Sequence, residues 1–131
     1  MEEHANVGRV RAGYKAFQEG DMDGVFEFFD EGILFHVPGN NPIAGDYKGR
    51  DEVLGFFGKL IQETGGTFKL EVHDILANDE HGVGLCVNSG ERNGKKLSQN
   101  IAQVFNLNAE GKVVEFWGYP EDAAEVDEFW S

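Results

Sequence analysis

Apolar residues recur at three- and four-residue intervals from the start of the chain. Val7, Val10, Tyr14 and Phe17 would share one face of a helix over roughly residues 3–19. Gly20 ends it, and Asp21 is placed to cap a second helix whose apolar side is Met22, Val25, Phe26 and Phe29. Residues 32–37, Gly-Ile-Leu-Phe-His-Val, predict a buried strand that stops at Pro38. Residues 39–49 are rich in Gly, Asn and Pro and read as a loop. A third helix follows over residues 50–64, with Val53, Leu54, Phe57 and Ile61 inward, and Gly65-Gly66 terminates it.

Beyond residue 66 the period falls to two. Residues 67–77, 82–92, 95–107 and 112–119 predict four strands, and Asn93-Gly94 marks a tight hairpin between the middle two. The tail, residues 121–130, predicts a short acidic helix. Helices followed by an antiparallel meander make an α+β domain, with the helices on one side of a curved sheet. Alternation along the strands gives a further constraint. Ile101, Gln103, Phe105 and Leu107 share one face, while Ala102, Val104 and Asn106 share the other. Apolar residues stand on both faces and the helices cover only one. The outer face, with Val104 and Trp117 in it, is therefore expected to pack against a second copy as a homodimer.

Composition narrows the function. The chain has 131 residues, suited to one domain over residues 1–131, and 11 of them are Phe. Lys plus Arg is 11 against 24 Asp plus Glu, a formal charge of −13. Such a chain repels phosphate backbones and anionic membranes, so neither nucleic acid nor a membrane is an expected partner. No apolar run is long enough to span a bilayer. The acidic start, Met1-Glu2-Glu3-His4, lacks the regions of a signal peptide. With Cys86 as its single cysteine, the chain reads as a soluble, cytoplasmic protein. His4, His36, His73 and His81 have no metal-ligand spacing, and no phosphate-binding loop is present. No metal and no cofactor are expected.

Several ordered motifs carry a resemblance. These are Tyr14-Lys-Ala-Phe-Gln-Glu-Gly-Asp21-Met-Asp, Phe35-His-Val-Pro-Gly39, Gly45-Asp-Tyr-Lys-Gly-Arg50-Asp-Glu-Val, Gly111-Lys-Val-Val-Glu-Phe-Trp117, and Pro120-Glu-Asp followed by Phe129-Trp130. Over nearly its whole length the chain resembles a SnoaL-like protein of the superfamily of nuclear transport factor 2 and ketosteroid isomerase. The resemblance implies a cone-shaped, curved antiparallel sheet with three helices on its concave face, the NTF2-like or cystatin-like fold. It also implies a mostly apolar pocket between sheet and helices, and dimers through the outer face. The family holds isomerases, cyclases, dehydratases, hydrolases and proteins without chemistry, so fold alone leaves the reaction open.

The isomerase members use a carboxylate base, an oxyanion-binding Tyr and a protonated Asp. The base position, just before a Pro at the end of the first strand, is Val37 here. Its neighbour His36 points the other way on a regular strand, and a bulge at Pro38 would be needed to turn it inward. The Tyr position, counted back from Gly20-Asp21, is Gly13, with Tyr14 one residue later. The Asp position, counted back from Gly111-Lys112, is Gln103, which donates a hydrogen bond but is not an acid.

The candidate catalytic residues are therefore His36 as base, with Tyr14 and Gln103 polarising an oxygen. His36 has an alternative reading as a sheet-face histidine. Gln103, on an apolar inward face, either contacts a ligand or bonds Tyr14 or Asn88. Tyr14 fits core packing equally well. Cys86 reads as a small buried hydrophobe. Phe17, Phe35, Val37, Asn40, Tyr47, Phe57, Asn88, Phe105 and Tyr119 complete the expected ligand-binding set. The ligand would be a small hydrophobic carbonyl or hydroxyl compound. One reading is a cofactor-free acid–base isomerase, cyclase, dehydratase or hydrolase. Another is a non-catalytic dimeric module that binds a small molecule, and a third is an adaptor using the acidic tail.

Overall fold

The computed structural model describes residues 3–131. Helix α1, Ala5–Glu19, ends where Gly20 takes φ +74 and its N–H closes on Ala16 and Phe17 carbonyls. Asp21 then caps α2, Met22–Phe28, through the Gly24 N–H. The chain passes from α2 into strand β1, Phe29–Val37, with no loop between. Phe29, expected on the second helix, is instead an extended, buried strand residue. Arg50 holds this junction by donating from Nη2 to the Phe26 carbonyl at 2.7 Å.

The stretch read as a loop over residues 39–49 contains a short strand, β2, Gly45–Lys48, antiparallel to β1. Its four residues are too few for alternation to be visible in the sequence. Helix α3, Gly49–Glu63, follows, then β3 (Lys69–Ala77), β4 (His81–Arg92), β5 (Lys95–Leu107), β6 (Val113–Pro120) and helix α4 (Ala123–Trp130). One six-stranded sheet has the order β2-β1-β6-β5-β4-β3. The pairing is antiparallel except between β1 and β6, which run parallel. The fold is the expected α+β architecture.

The buried stripe of α3 is Val53, Phe56, Phe57 and Leu60, while Leu54 and Ile61 are 40% and 47% exposed. The expectation for this helix was one step out of phase. Both Val53-Leu54 and Phe56-Phe57 are apolar pairs, so periodicity alone allows either stripe. The aromatic core selects the observed one. Phe35 stacks on Phe116 with ring centroids 4.0 Å apart and meets Phe57 edge-on at 5.8 Å. Phe56 packs on Phe35 from the same helix.

The pleat sorts the sheet into two faces. Phe35 and Tyr47 are in register with Phe116 and Phe105 on the inner side. His36, Trp117, Val104 and Val83 are in register on the outer side. No helix among the described residues is long and apolar enough to cross a membrane.

Candidate functional site

Between the inner sheet face and the helices lies a cavity of about 130 Å³. Its walls are largely aromatic, with Phe17, Phe28, Phe35, Phe57, Phe105 and Phe116 among them. Helix α4 closes one side with Val126 and Trp130. This helix is held down by Arg92, which donates to the Phe129 carbonyl at 3.0 Å, and by Asp127, which accepts from the Asn40 N–H at 2.8 Å.

The polar side chains lining the cavity are Tyr14, Asn41, Asn88 and Gln103. The Tyr14 hydroxyl donates to Gln103 Oε1 at 2.7 Å. Helix α1 brings Tyr14 to this point because Gly84 lies beneath it. A Cβ on Gly84 would overlap the Tyr14 hydroxyl, so only glycine permits so close an approach. Gly13 plays a similar part, since a Cβ there would run into the Phe28 ring. Burial pushes the Tyr14 phenol well above its ordinary range, with nearby Cys86 adding to the shift. It therefore stays protonated and acts as a donor. Burial also raises the Cys86 thiol, which keeps it neutral.

Asn41 is fully engaged. Its Oδ1 accepts from the Ile43 and Ala44 N–H groups, and its Nδ2 donates to Asp127. Asn88 differs, because its Oδ1 is buried with no hydrogen-bond partner. Among the described residues, no protein group accepts from Gln103 Nε2 either. Two amides thus face the cavity with unused hydrogen-bonding capacity. No Asp, Glu, His, Lys or Arg is among the lining residues.

Most of the expected ligand-contacting residues reach this cavity: Phe17, Phe35, Val37, Phe57, Asn88 and Phe105 line it with Tyr14 and Gln103. Four do not. His36 lies on the outer face, because β1 stays regular through its pairing with β2 and no bulge forms at Pro38. There its Nδ1 meets Asp46 Oδ1 at 2.6 Å, its Nε2 meets Glu115 Oε2 at 2.8 Å, and its ring stacks on Trp117. Glu115 first and Asp46 second raise the imidazole above its usual value, so it carries charge more readily. Tyr119 is 57% exposed on the same outer side, because Gly118 takes the inward position. Asn40 is exposed and tied through its backbone, and Asn41 lines the cavity in its place. Tyr47 packs behind the wall on Phe56, its hydroxyl donating to the Ile43 carbonyl.

Trp130, Phe28 and Phe116 also line the cavity and lie outside the expected ligand-binding set. The Phe129-Trp130 pair ending an acidic segment was the available signal for α4, since adjacent aromatics rarely sit on a solvated helix. Among the described residues no cluster of His, Cys, Asp and Glu is arranged to hold a metal.

A family model described as a SnoaL-like domain matches residues 10–116. The chain belongs to the SnoaL-like family. Its structure is similar to that of Bal32a from a soil-derived mobile gene cassette, with 40% identity, 96% of each chain covered and a TM-score of 0.91. It is 27% identical to an uncharacterized protein of Mycobacterium tuberculosis over the full length of both. TerC, co-crystallized with polyporic acid, shares the fold at 15% identity, with a TM-score of 0.81 over 95% of this chain and 96% of that one. Other structural neighbours are described as having a cystatin-like fold or as NTF2-like, which places this fold in that class.

Proposed function

We propose that this SnoaL-like protein binds a small, mainly apolar organic compound in the cavity and that the cavity itself performs no acid–base chemistry. The carrying observation is the lining: aromatic walls, a phenol kept protonated by burial, and amides. Moving a proton next to a carbonyl needs a base within hydrogen-bond reach of the substrate. His36, the candidate base, is held on the opposite face by Asp46 and Glu115. The neutral groups suit recognition instead, since binding sites combine apolar walls with a few placed polar atoms. That TerC was crystallized with a small molecule is in keeping with this reading.

The test is an NMR titration with single-ring aromatic compounds, followed by a turnover screen on carbonyl substrates. Shifts confined to Tyr14, Gln103, Asn88 and their neighbours, with no turnover, are the expected result. Absence of any cavity shift, or turnover abolished by Tyr14→Phe, overturns the reading.

The outer sheet face fits a second copy of the chain. Its centre, Val83, Leu85, Ala102 and Val104, is apolar and only partly buried, and Leu76 and Tyr119 are more than half exposed. These central positions carry no charge, which lets two chains of formal charge −13 approach each other there. A dimeric mass in sedimentation at micromolar concentration is expected, and a monomer would sink the idea.

A further inference from the structure

Two cavity-lining amides, Asn88 and Gln103, stand at different points on the inner face of the sheet. Gln103 is in register with Gly84, and Asn88 lies four residues beyond Gly84 on β4. At roughly 3.4 Å per residue their backbones are about 14 Å apart. Ile101, in register with Cys86, sits between them and also lines the cavity. The wall is therefore polar at two points and apolar in the middle.

Both amides turn the same kind of atom to the cavity. Asn88 Oδ1 is closed off from it, a buried oxygen without a partner, so Nδ2 is the polar atom that Asn88 exposes. Gln103 Oε1 is occupied by the Tyr14 hydroxyl at 2.7 Å, which leaves Nε2. Neither N–H₂ group has a protein acceptor among the described residues, and neither nitrogen is buried. The acceptors of the lining side chains are largely spent. Asn41 Oδ1 already accepts from the Ile43 and Ala44 N–H groups, and the Tyr14 oxygen shares its lone pairs with its ring. A ligand in the cavity thus meets a free donor at each of two separated points.

We propose that the cavity takes a single-ring compound with a hydrogen-bond acceptor at each end, such as two carbonyl oxygens, one accepting from Gln103 Nε2 and the other from Asn88 Nδ2. Size sets the single ring. At roughly 10–15 Å³ per water-sized position, a cavity of about 130 Å³ takes on the order of ten non-hydrogen atoms. Length agrees. Allowing for both side chains and for two hydrogen bonds of about 2.9 Å, the ligand's acceptors lie roughly 6–8 Å apart. That is the span between acyl oxygens in para positions on one ring. The ring itself packs on Ile101 and the aromatic walls. The proposal rests on the small-molecule reading above and adds the number, kind and placement of the ligand's polar groups.

Three compounds of near-equal size and shape test it. Para-diacetylbenzene has two acceptors, para-isopropylacetophenone has one, and para-diisopropylbenzene has none. Dissociation constants for the first two are measured by calorimetry on the wild type, on Asn88→Leu and on Gln103→Met. The ratio of the two constants is compared between proteins, so that the different hydration of acetyl and isopropyl groups cancels. Each variant should move that ratio about fivefold toward the one-carbonyl compound, because that compound can turn its isopropyl end to the altered site. A ratio that moves in one variant alone, or in neither, overturns the proposal. The wild type gives a second readout that needs no variant. In NMR titrations the side-chain N–H₂ protons of both Asn88 and Gln103 should shift further downfield with para-diacetylbenzene than with para-diisopropylbenzene. Cavity shifts that leave either N–H₂ group indifferent to the carbonyls overturn the proposal and leave the small-molecule reading standing. If none of the three compounds perturbs the cavity, that reading fails as well.

Discussion

The Tyr14 hydroxyl rests on the backbone of Gly84, close enough that any side chain at position 84 would overlap it. The position of the Tyr14 hydroxyl at the cavity is therefore set by a residue with no side chain at all. Gly84→Ala should displace the Tyr14 ring and break its bond to Gln103 Oε1. Forcing a methyl into a packed site costs about 1–3 kcal/mol. Urea unfolding should show that loss, and the NMR signals of the Gln103 amide should move. An unchanged midpoint would mean that α1 yields easily and that the close approach is incidental.

The bond between Tyr14 and Gln103 is open to a double-mutant cycle. Tyr14→Phe leaves Gln103 Oε1 without a donor, and such an orphaned acceptor costs about 1–3 kcal/mol. Gln103→Met removes the acceptor in turn. The double variant should be more stable than the sum of the single losses predicts, with a coupling of about 1 kcal/mol. A coupling near zero would show that water replaces the partner in either variant.

His36 predicts a pH-dependent stability. Its imidazole lies between Glu115 and Asp46 and is held above its ordinary value of 6.5 in the fold. A group whose pKa is raised by folding stabilises fully below its unfolded pKa. That contribution fades as pH rises through the folded value. Stability relative to His36→Gln should thus be largest at or just below pH ~6.5, while both carboxylates are still charged, and should shrink on going alkaline. Trp117, stacked 5.3 Å from the imidazole, gives an independent readout, because its fluorescence should change as the ring deprotonates. A stability difference that is flat with pH would show the two ion pairs to be screened by solvent.

The outer face can be tested at one residue. Val104 sits at its apolar centre, in register with Val83 and Trp117. Val104→Lys places a charge in the middle of the proposed contact, and burying it unpaired costs several kcal/mol. The variant should sediment as a monomer with an unchanged far-UV spectrum. A variant of unchanged mass would move the contact elsewhere.

Much of this was legible in the sequence because alternation and helical spacing are local. The inward set of β5, Ile101, Gln103, Phe105 and Leu107, follows from period two alone, and it placed Gln103 at the cavity. The same rule turned His36 outward, and only an assumed bulge at Pro38 argued otherwise. Pairing with β2 removed that bulge, and a four-residue strand is invisible to periodicity. The phase of α3 was equally hidden, because Leu54 and Phe56 are both apolar and the choice is made by Phe35 and Phe116 across the core. Asn40 and Asn41 could not be separated by spacing either. The Asx turn of Asn41 and the positive φ of Gly39 decide which of the two faces inward.

Asn88 predicts a stability change at a single atom. In the free protein its Oδ1 is buried without a partner, a state that lowers stability and that neutral packing would avoid. Leu keeps the branched shape of Asn and needs no hydrogen bond. Asn88→Leu should therefore stabilise the free protein by about 1 kcal/mol, visible as a melting temperature raised by a few degrees. A variant less stable than wild type would mean that the Asn88 amide already has a partner, such as an ordered water.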